Sequence, residues 1–145
     1  MRFFFDANFP AGLARAVKEV TANREIEVIT HNEWFPEGTK DVKWIADVAG
    51  RVPKPFVVGG DGAILKHPAE AIALRESDLT YFILVDRFAN IGVYQQASTF
   101  FKAWPEILKE AGQVKVSTVF EITVNGKVET KYATAQVPIK KAALK

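Results

Sequence analysis

Cysteine is absent from the 145 residues, and methionine occurs once. Disulfides, thiol nucleophiles and thiolate metal sites are thereby excluded. The absence also fits a reducing compartment, so a cytoplasmic location is expected. No apolar run approaches the roughly 20 residues that a membrane-spanning helix needs. The N-terminus lacks the basic-then-apolar pattern of a secretory leader, and strand-forming residues begin at Arg2, so neither a cleavable segment nor a membrane partner is expected. Strong charge of one sign is missing too. A formal net charge of +2 is too small to identify a nucleic-acid binder by itself. Internal repeats and low-complexity tracts are lacking as well.

What is present is the composition of an ordinary globular protein, with 48% apolar and 25% charged residues, which argues against global disorder. The length suits one domain with a buried core. Charge is unevenly spread. Residues 115–145 hold six lysines against Glu121 and Glu129, a net of +4, whereas the preceding residues hold thirteen basic and fifteen acidic side chains, a net of −2. A basic end beside a neutral-to-acidic body is able to hold phosphates; equally, it serves to solubilise a frayed terminus. Residues 1–135 are read as one domain and 136–145 as a basic, flexible tail.

Strand and helix patterns alternate along most of the chain. Arg2 to Asp6 is a short aromatic run ending in a carboxylate, the pattern of a strand buried on both faces. Pro10 suits the first turn of a helix whose stripe is Leu13, Ala16, Val17 and Val20, with Asn8 as a candidate cap. Glu25 to Thr30 alternates as a second strand, and residues 31–38 read as loop. Thr39 is a plausible cap for a helix carrying Asp41 in its first turn and Trp44, Ile45 and Val48 as its stripe, stopping at Gly50. Pro55 to Gly59 is a third strand, followed by Asp61 and a short helical stretch through Leu65. A helix from about Pro68 to Ser77 and a strand from Leu79 to Val85 come next. Residues 94–110 read as helix, broken at Trp104-Pro105. Residues 114–132 are rich in Val, Ile and Thr around Asn125-Gly126, the strongest short hairpin signal. The alternation predicts an α/β fold with a mostly parallel central sheet and a C-terminal β-hairpin.

In such sheets ligands gather at the C-terminal ends of the strands. Asp6 and Asp61 end or follow strands, and Asp41 opens a helix at the same edge. Three carboxylates at one mouth raise one another's pKa unless a cation offsets them. Hard ions such as Mg²⁺ or Mn²⁺ favour oxygen donors and are able to activate water against a phosphodiester, which suits a chain with only His31 and His67. Each Asp also has a plainer reading: Asp6 and Asp61 as caps, Asp41 as the complement of a helix dipole. His31 is read as a surface residue, Asp86 as a turn residue, and Lys66, His67 and Arg75 as a solvated face. Tyr94, Phe100, Phe101 and Trp104 are read as core or interface before base-stacking groups.

The segments Phe3-Phe-Phe-Asp6-Ala-Asn8-Phe-Pro10, Gly38-Thr-Lys-Asp41-Val-Lys-Trp44-Ile45, Phe56-Val-Val-Gly-Gly-Asp61-Gly-Ala-Ile64 and Trp104-Pro105 resemble, in order and spacing, the PIN-domain proteins of the compact VapC-like toxin branch. The resemblance implies a three-layer α/β/α fold and makes Asp6, Asp41 and Asp61 the metal-binding, catalytic carboxylates, with Mg²⁺ or Mn²⁺ as cofactor. It implies a metal-dependent endoribonuclease, the toxin of a type II toxin–antitoxin pair, with RNA as substrate, a cognate antitoxin as partner and a homodimeric assembly. A fourth acid stands between the first two in many PIN domains; Glu33 and Glu37 occupy that stretch, and Asn8 and Glu33 are taken as accessory positions. Gly59-Gly60 departs from the Thr- or Ser-containing tripeptide usual before the last Asp. Both departures favour an alternative, a catalytically weak or inactive PIN-like module that binds RNA or protein. A third possibility, a doubly wound phosphoryl-transfer or signalling domain, calls for a Lys at a late strand end and a Gly-rich phosphate loop; the fourth strand ends instead in Val85-Asp86-Arg87.

Overall fold

The computed structural model describes residues 1–22, 24–60 and 62–140. Its centre is a six-stranded sheet built from β1 (Arg2–Phe5), β2 (Glu27–Thr30), β3 (Phe56–Gly59), β4 (Tyr81–Leu84), β5 (Thr118–Ile122) and β6 (Val128–Ala133). The spatial order is β2-β1-β3-β4-β5-β6. The first five strands run parallel and β6 alone is antiparallel, paired with β5.

Successive side chains of a strand point to opposite faces, and β1 shows the consequence. Phe3 and Phe5 enter one core with Leu13, Val17, Phe82, Phe100, Trp104 and Phe120. Phe4 enters the other with Trp44, Ile45, Val48, Leu74, Tyr81 and Ile83. The first core is covered by α1 (Ala11–Val20) and α5 (Val93–Gln113), the second by α3 (Asp41–Ala49) and α4 (Pro68–Ser77). Both faces of the sheet are therefore dry, which is why β1, β3 and β4 read as continuous apolar runs rather than alternating ones. The expected three-layer α/β/α architecture with a mostly parallel sheet and a terminal hairpin is the fold observed.

Four local expectations change. The stretch read as loop after β2 begins with a single helical turn, α2 (His31–Trp34), because Glu33 Oε2 accepts from the Thr30 backbone N–H at 2.6 Å and its hydroxyl at 3.0 Å. Neither Asn8 nor Thr39 caps a helix: Pro10 and Lys40 hold those positions, and the Thr39 hydroxyl donates to the Pro36 carbonyl at 2.7 Å. The long helix is not broken at Pro105, which lies inside continuous α5. Loss of one backbone hydrogen bond there is outweighed by burial of Phe100, Trp104 and Ile107 on the sheet. Finally, Val137 is fully buried and Ile139 packs beside it, so the segment read as a flexible tail from residue 136 starts inside a packed layer; its residues 141–145 lie outside the described residues.

The hairpin forms as Asn125-Gly126 predicts. Gly126 takes φ +78°, a left-handed conformation open to glycine, and donates its N–H to the Thr123 carbonyl at 2.9 Å.

Candidate active site

Asp6 is the first residue after β1, and its N–H continues the ladder by donating to the Val58 carbonyl of β3 at 3.0 Å. The chain then turns back over its own carboxylate. Oδ1 accepts from the backbone N–H of Asn8 at 3.0 Å and of Phe9 at 3.2 Å, the geometry that makes Asp favourable in such turns. A third N–H, from Gly60 just past β3, reaches the same oxygen at 3.1 Å. A Cβ on Gly60 would lie 1.7 Å from the Asn8 carbonyl oxygen, so this approach requires glycine. Oδ2 accepts from the Tyr81 hydroxyl of β4 at 2.5 Å.

The carboxylate is thus fastened to three strands, with only 6% of the residue exposed. Burial pushes the Asp6 pKa up to about 6 from an ordinary 3.8; the bonds from Tyr81, Gly60 and Asn8 pull it down, and the negative charge of Asp41 adds to the rise. A buried acid held near neutrality by these opposing effects is the pattern found at functional carboxylates.

Asp41 opens α3 at the same sheet edge, and its Oδ1 accepts from Trp44 Nε1 at 2.8 Å. Trp44 is itself buried, so the indole anchors the carboxylate from the core side. The structure therefore brings Asp6 and Asp41 to one mouth, close enough for the charge on one to act on the other. The third expected ligand, Asp61, lies outside the described residues. Among the described residues no three His, Cys, Asp or Glu side chains converge in a way that could hold a metal ion.

The accessory positions resolve differently from the expectation. Asn8 contributes its backbone N–H to Asp6. Glu33 is engaged elsewhere: it caps α2 and pairs with Lys18 at 2.5 Å. Burial alone would raise its pKa, but the Lys18 and Thr30 bonds outweigh that and lower it. Glu37 lines a cleft of about 450 Å³ beside Asp6, together with Arg15, Thr30, His31 and Asn32. Asp86 starts a short turn after β4 and pairs with Lys66 at 3.0 Å. His31 is not a surface residue but 4% exposed, set against the rings of Phe4 and Phe35 at 6.0 and 5.5 Å, with neither ring nitrogen hydrogen-bonded.

Sequence reading missed Tyr81 and the Gly60 N–H as parts of this site. The available signal was Gly59-Gly60 itself, which reads from sequence as a lost hydroxyl and in the fold provides room for other groups.

Fold and site together define the class: a parallel α/β/α domain with a buried carboxylate and a second acid at the C-terminal mouth of its sheet. A family model described as a PIN-like domain matches residues 1–86, the stretch that runs from β1 past β4 and carries Asp6, Asp41 and Asp61. The chain belongs to the PIN-like domain family, whose members are generally nucleases and typically use divalent metal ions. Comparison with curated proteins and with solved structures gave no match. Among the described residues no helix is long and apolar enough to cross a membrane.

The two described carboxylates at the mouth are oxygen donors of the kind a hard divalent ion favours. Among the described residues, Asp6 Oδ1 accepts three N–H groups and Oδ2 one hydroxyl, that of Tyr81, which leaves Oδ2 a lone pair toward them. Asp41 offers its second oxygen, and the repulsion between the two carboxylates is what a cation relieves.

Proposed function

We propose that this chain is a metal-dependent endoribonuclease of the VapC-like branch, the toxin of a type II toxin–antitoxin pair. The observation that carries the reading is Asp6. It is a carboxylate buried just past the first strand, held by four hydrogen bonds, with burial pushing its pKa up to about 6, and the resemblance makes it the first acid of the family's site. Asp6 Oδ2 and Asp41 would hold Mg²⁺ or Mn²⁺, with Asp61 as the expected third ligand. When bound, the ion supplies positive charge for the phosphodiester and lowers the pKa of water. The chain's own contribution is orientation. The three N–H donors anchor Asp6 Oδ1, Trp44 fixes Asp41, and the apolar cores behind both keep their field little screened. Arg15, which lines the adjoining cleft, is the cation that would meet a phosphate of the RNA strand. An antitoxin that covers the mouth and a homodimeric assembly belong to the same reading.

The test is cleavage of a fluorescent single-stranded RNA with Mn²⁺, in parallel with Mn²⁺ calorimetry. Asp6→Asn and Asp41→Asn are expected to lose cleavage by at least about a hundredfold while melting as folded proteins. Full activity in Asp6→Asn would sink the mechanism. One observation favours the non-catalytic alternative: among the described residues, four hydrogen bonds already occupy the Asp6 carboxylate. A folded wild-type chain that binds RNA but no Mn²⁺ would decide for that module.

A further inference from the structure

Tyr81 and Asp6 stand on strands that are not neighbours, since β3 runs between β4 and β1. Adjacent strands lie about 4.8 Å apart, so the phenol has to cross roughly 10 Å of sheet to reach the carboxylate. It does so directly over β3. Tyr81 is in register with Val57, and Gly59 follows two residues later on the same face. A Cβ built on Gly59 would lie 2.3 Å from Tyr81 Cε1, 2.4 Å from its hydroxyl oxygen and 2.7 Å from Cζ. Any side chain at 59 would thus occupy the volume of the ring. Gly59 is the gap, and Tyr81 fills it.

From this juxtaposition we infer that Tyr81 is a positioning residue for Asp6, reaching it through the gap at Gly59 and supplying from β4 a hydroxyl to the mouth that β3 does not carry. The inference rests on the reading of Asp6 as a functional carboxylate. The three N–H donors all converge on Oδ1 and leave the carboxylate free to tilt about that oxygen. The Tyr81 bond to Oδ2 is the second point that fixes its plane. A tyrosine that merely fills the core would satisfy its hydroxyl at any nearby acceptor, and removing that hydroxyl would leave the site unmoved.

The geometry supplies a reciprocal test. Tyr81→Phe keeps the ring and deletes the hydroxyl. Tyr81→Ala with Gly59→Ser empties the ring volume and returns a hydroxyl to the same place from β3. Two readouts are taken on folded protein, verified by thermal melting: the amide NMR signals of Asn8, Phe9 and Gly60 in metal-free buffer, and Mn²⁺ affinity by calorimetry. Tyr81→Phe is expected to shift those three signals and to weaken Mn²⁺ binding about tenfold to a hundredfold, the usual effect of removing a group that orients a ligand. Tyr81→Ala alone behaves likewise, and the double variant moves both readouts back toward wild type. Wild-type amide signals in Tyr81→Phe, or a double variant no better than Tyr81→Ala, would overturn the inference. If the wild-type chain itself binds no Mn²⁺, the metal reading falls, while the metal-free amide signals still decide the role of Tyr81.

Discussion

The buried Asp6 carboxylate makes a quantitative prediction about stability. Its pKa is about 6 in the folded chain against 3.8 for the free side chain. Below pH 3.8 both states hold the proton and the group is neutral with respect to folding. Between about pH 4 and pH 6 the folded chain keeps a proton that the unfolded chain has released, so stability falls as pH rises through that window. Above it the full difference persists. Each unit is worth 1.36 kcal/mol, so a shift of about two units gives a penalty of about 3 kcal/mol at pH 7.5. Asp6→Asn removes the charge and keeps the shape. Its Oδ1 accepts the three N–H donors, and its NH₂ group donates to the Tyr81 oxygen, which accepts as readily as it donates. Urea denaturation of both proteins, in chelator-treated buffer at half-unit steps from pH 4 to 7.5, isolates Asp6, because other titrating groups cancel in the difference. The variant is expected to match wild type near pH 4 and to exceed it by up to about 3 kcal/mol at pH 7.5. A variant less stable than wild type at pH 7.5, or a difference that does not change with pH, would refute the reasoning. The expected result also exposes a physical reason for the residue: a group that destabilises the fold is kept for what it does at the mouth.

Gly60→Ala places a methyl group 1.7 Å from the Asn8 carbonyl oxygen; unfolding free energy should drop by more than about 3 kcal/mol, and a loss under 1 kcal/mol would show that the two backbone segments separate easily. His31→Phe removes two buried nitrogens that have no hydrogen-bond partner from an aromatic cage, and is expected to stabilise the chain by about 1 kcal/mol in urea; destabilisation would mean that the imidazole is hydrogen-bonded in solution. Glu33→Ala deletes the cap of α2 and the Lys18 pair, so it should lower stability by about 1 kcal/mol while RNA cleavage stays within about twofold of wild type. A larger loss of cleavage would return Glu33 to the metal site.

The layered fold was legible because it depends on patterns that local chemistry writes into the chain. Three aromatic residues in β1, each buried, require helices on both faces of the sheet. Pro68 marks a helix start through its fixed φ, and Asn125-Gly126 marks the hairpin through a left-handed φ at Gly126. Where local signals misled, tertiary contacts outweighed them. Pro105 stays inside α5 because its neighbours are buried on the sheet. His31 is interior because Phe4 and Phe35 close over it.

The site divides along the same line. Sequence alone named Asp6, Asp41 and Asp61 as candidates at one edge, since the ends of parallel strands and the starts of the helices that follow them share that edge by topology; Asp61 lies outside the described residues. What only the tertiary structure decided is how Asp6 is held. Its partners come from the turn after β1 (residues 8 and 9), from Gly60 just past β3 and from Tyr81 on β4, brought together by the order β1-β3-β4. A hydrogen bond across an intervening strand leaves no periodic trace in a sequence. It depends on the absence of one Cβ at Gly59, and a missing atom acquires meaning only when its neighbours in space are known.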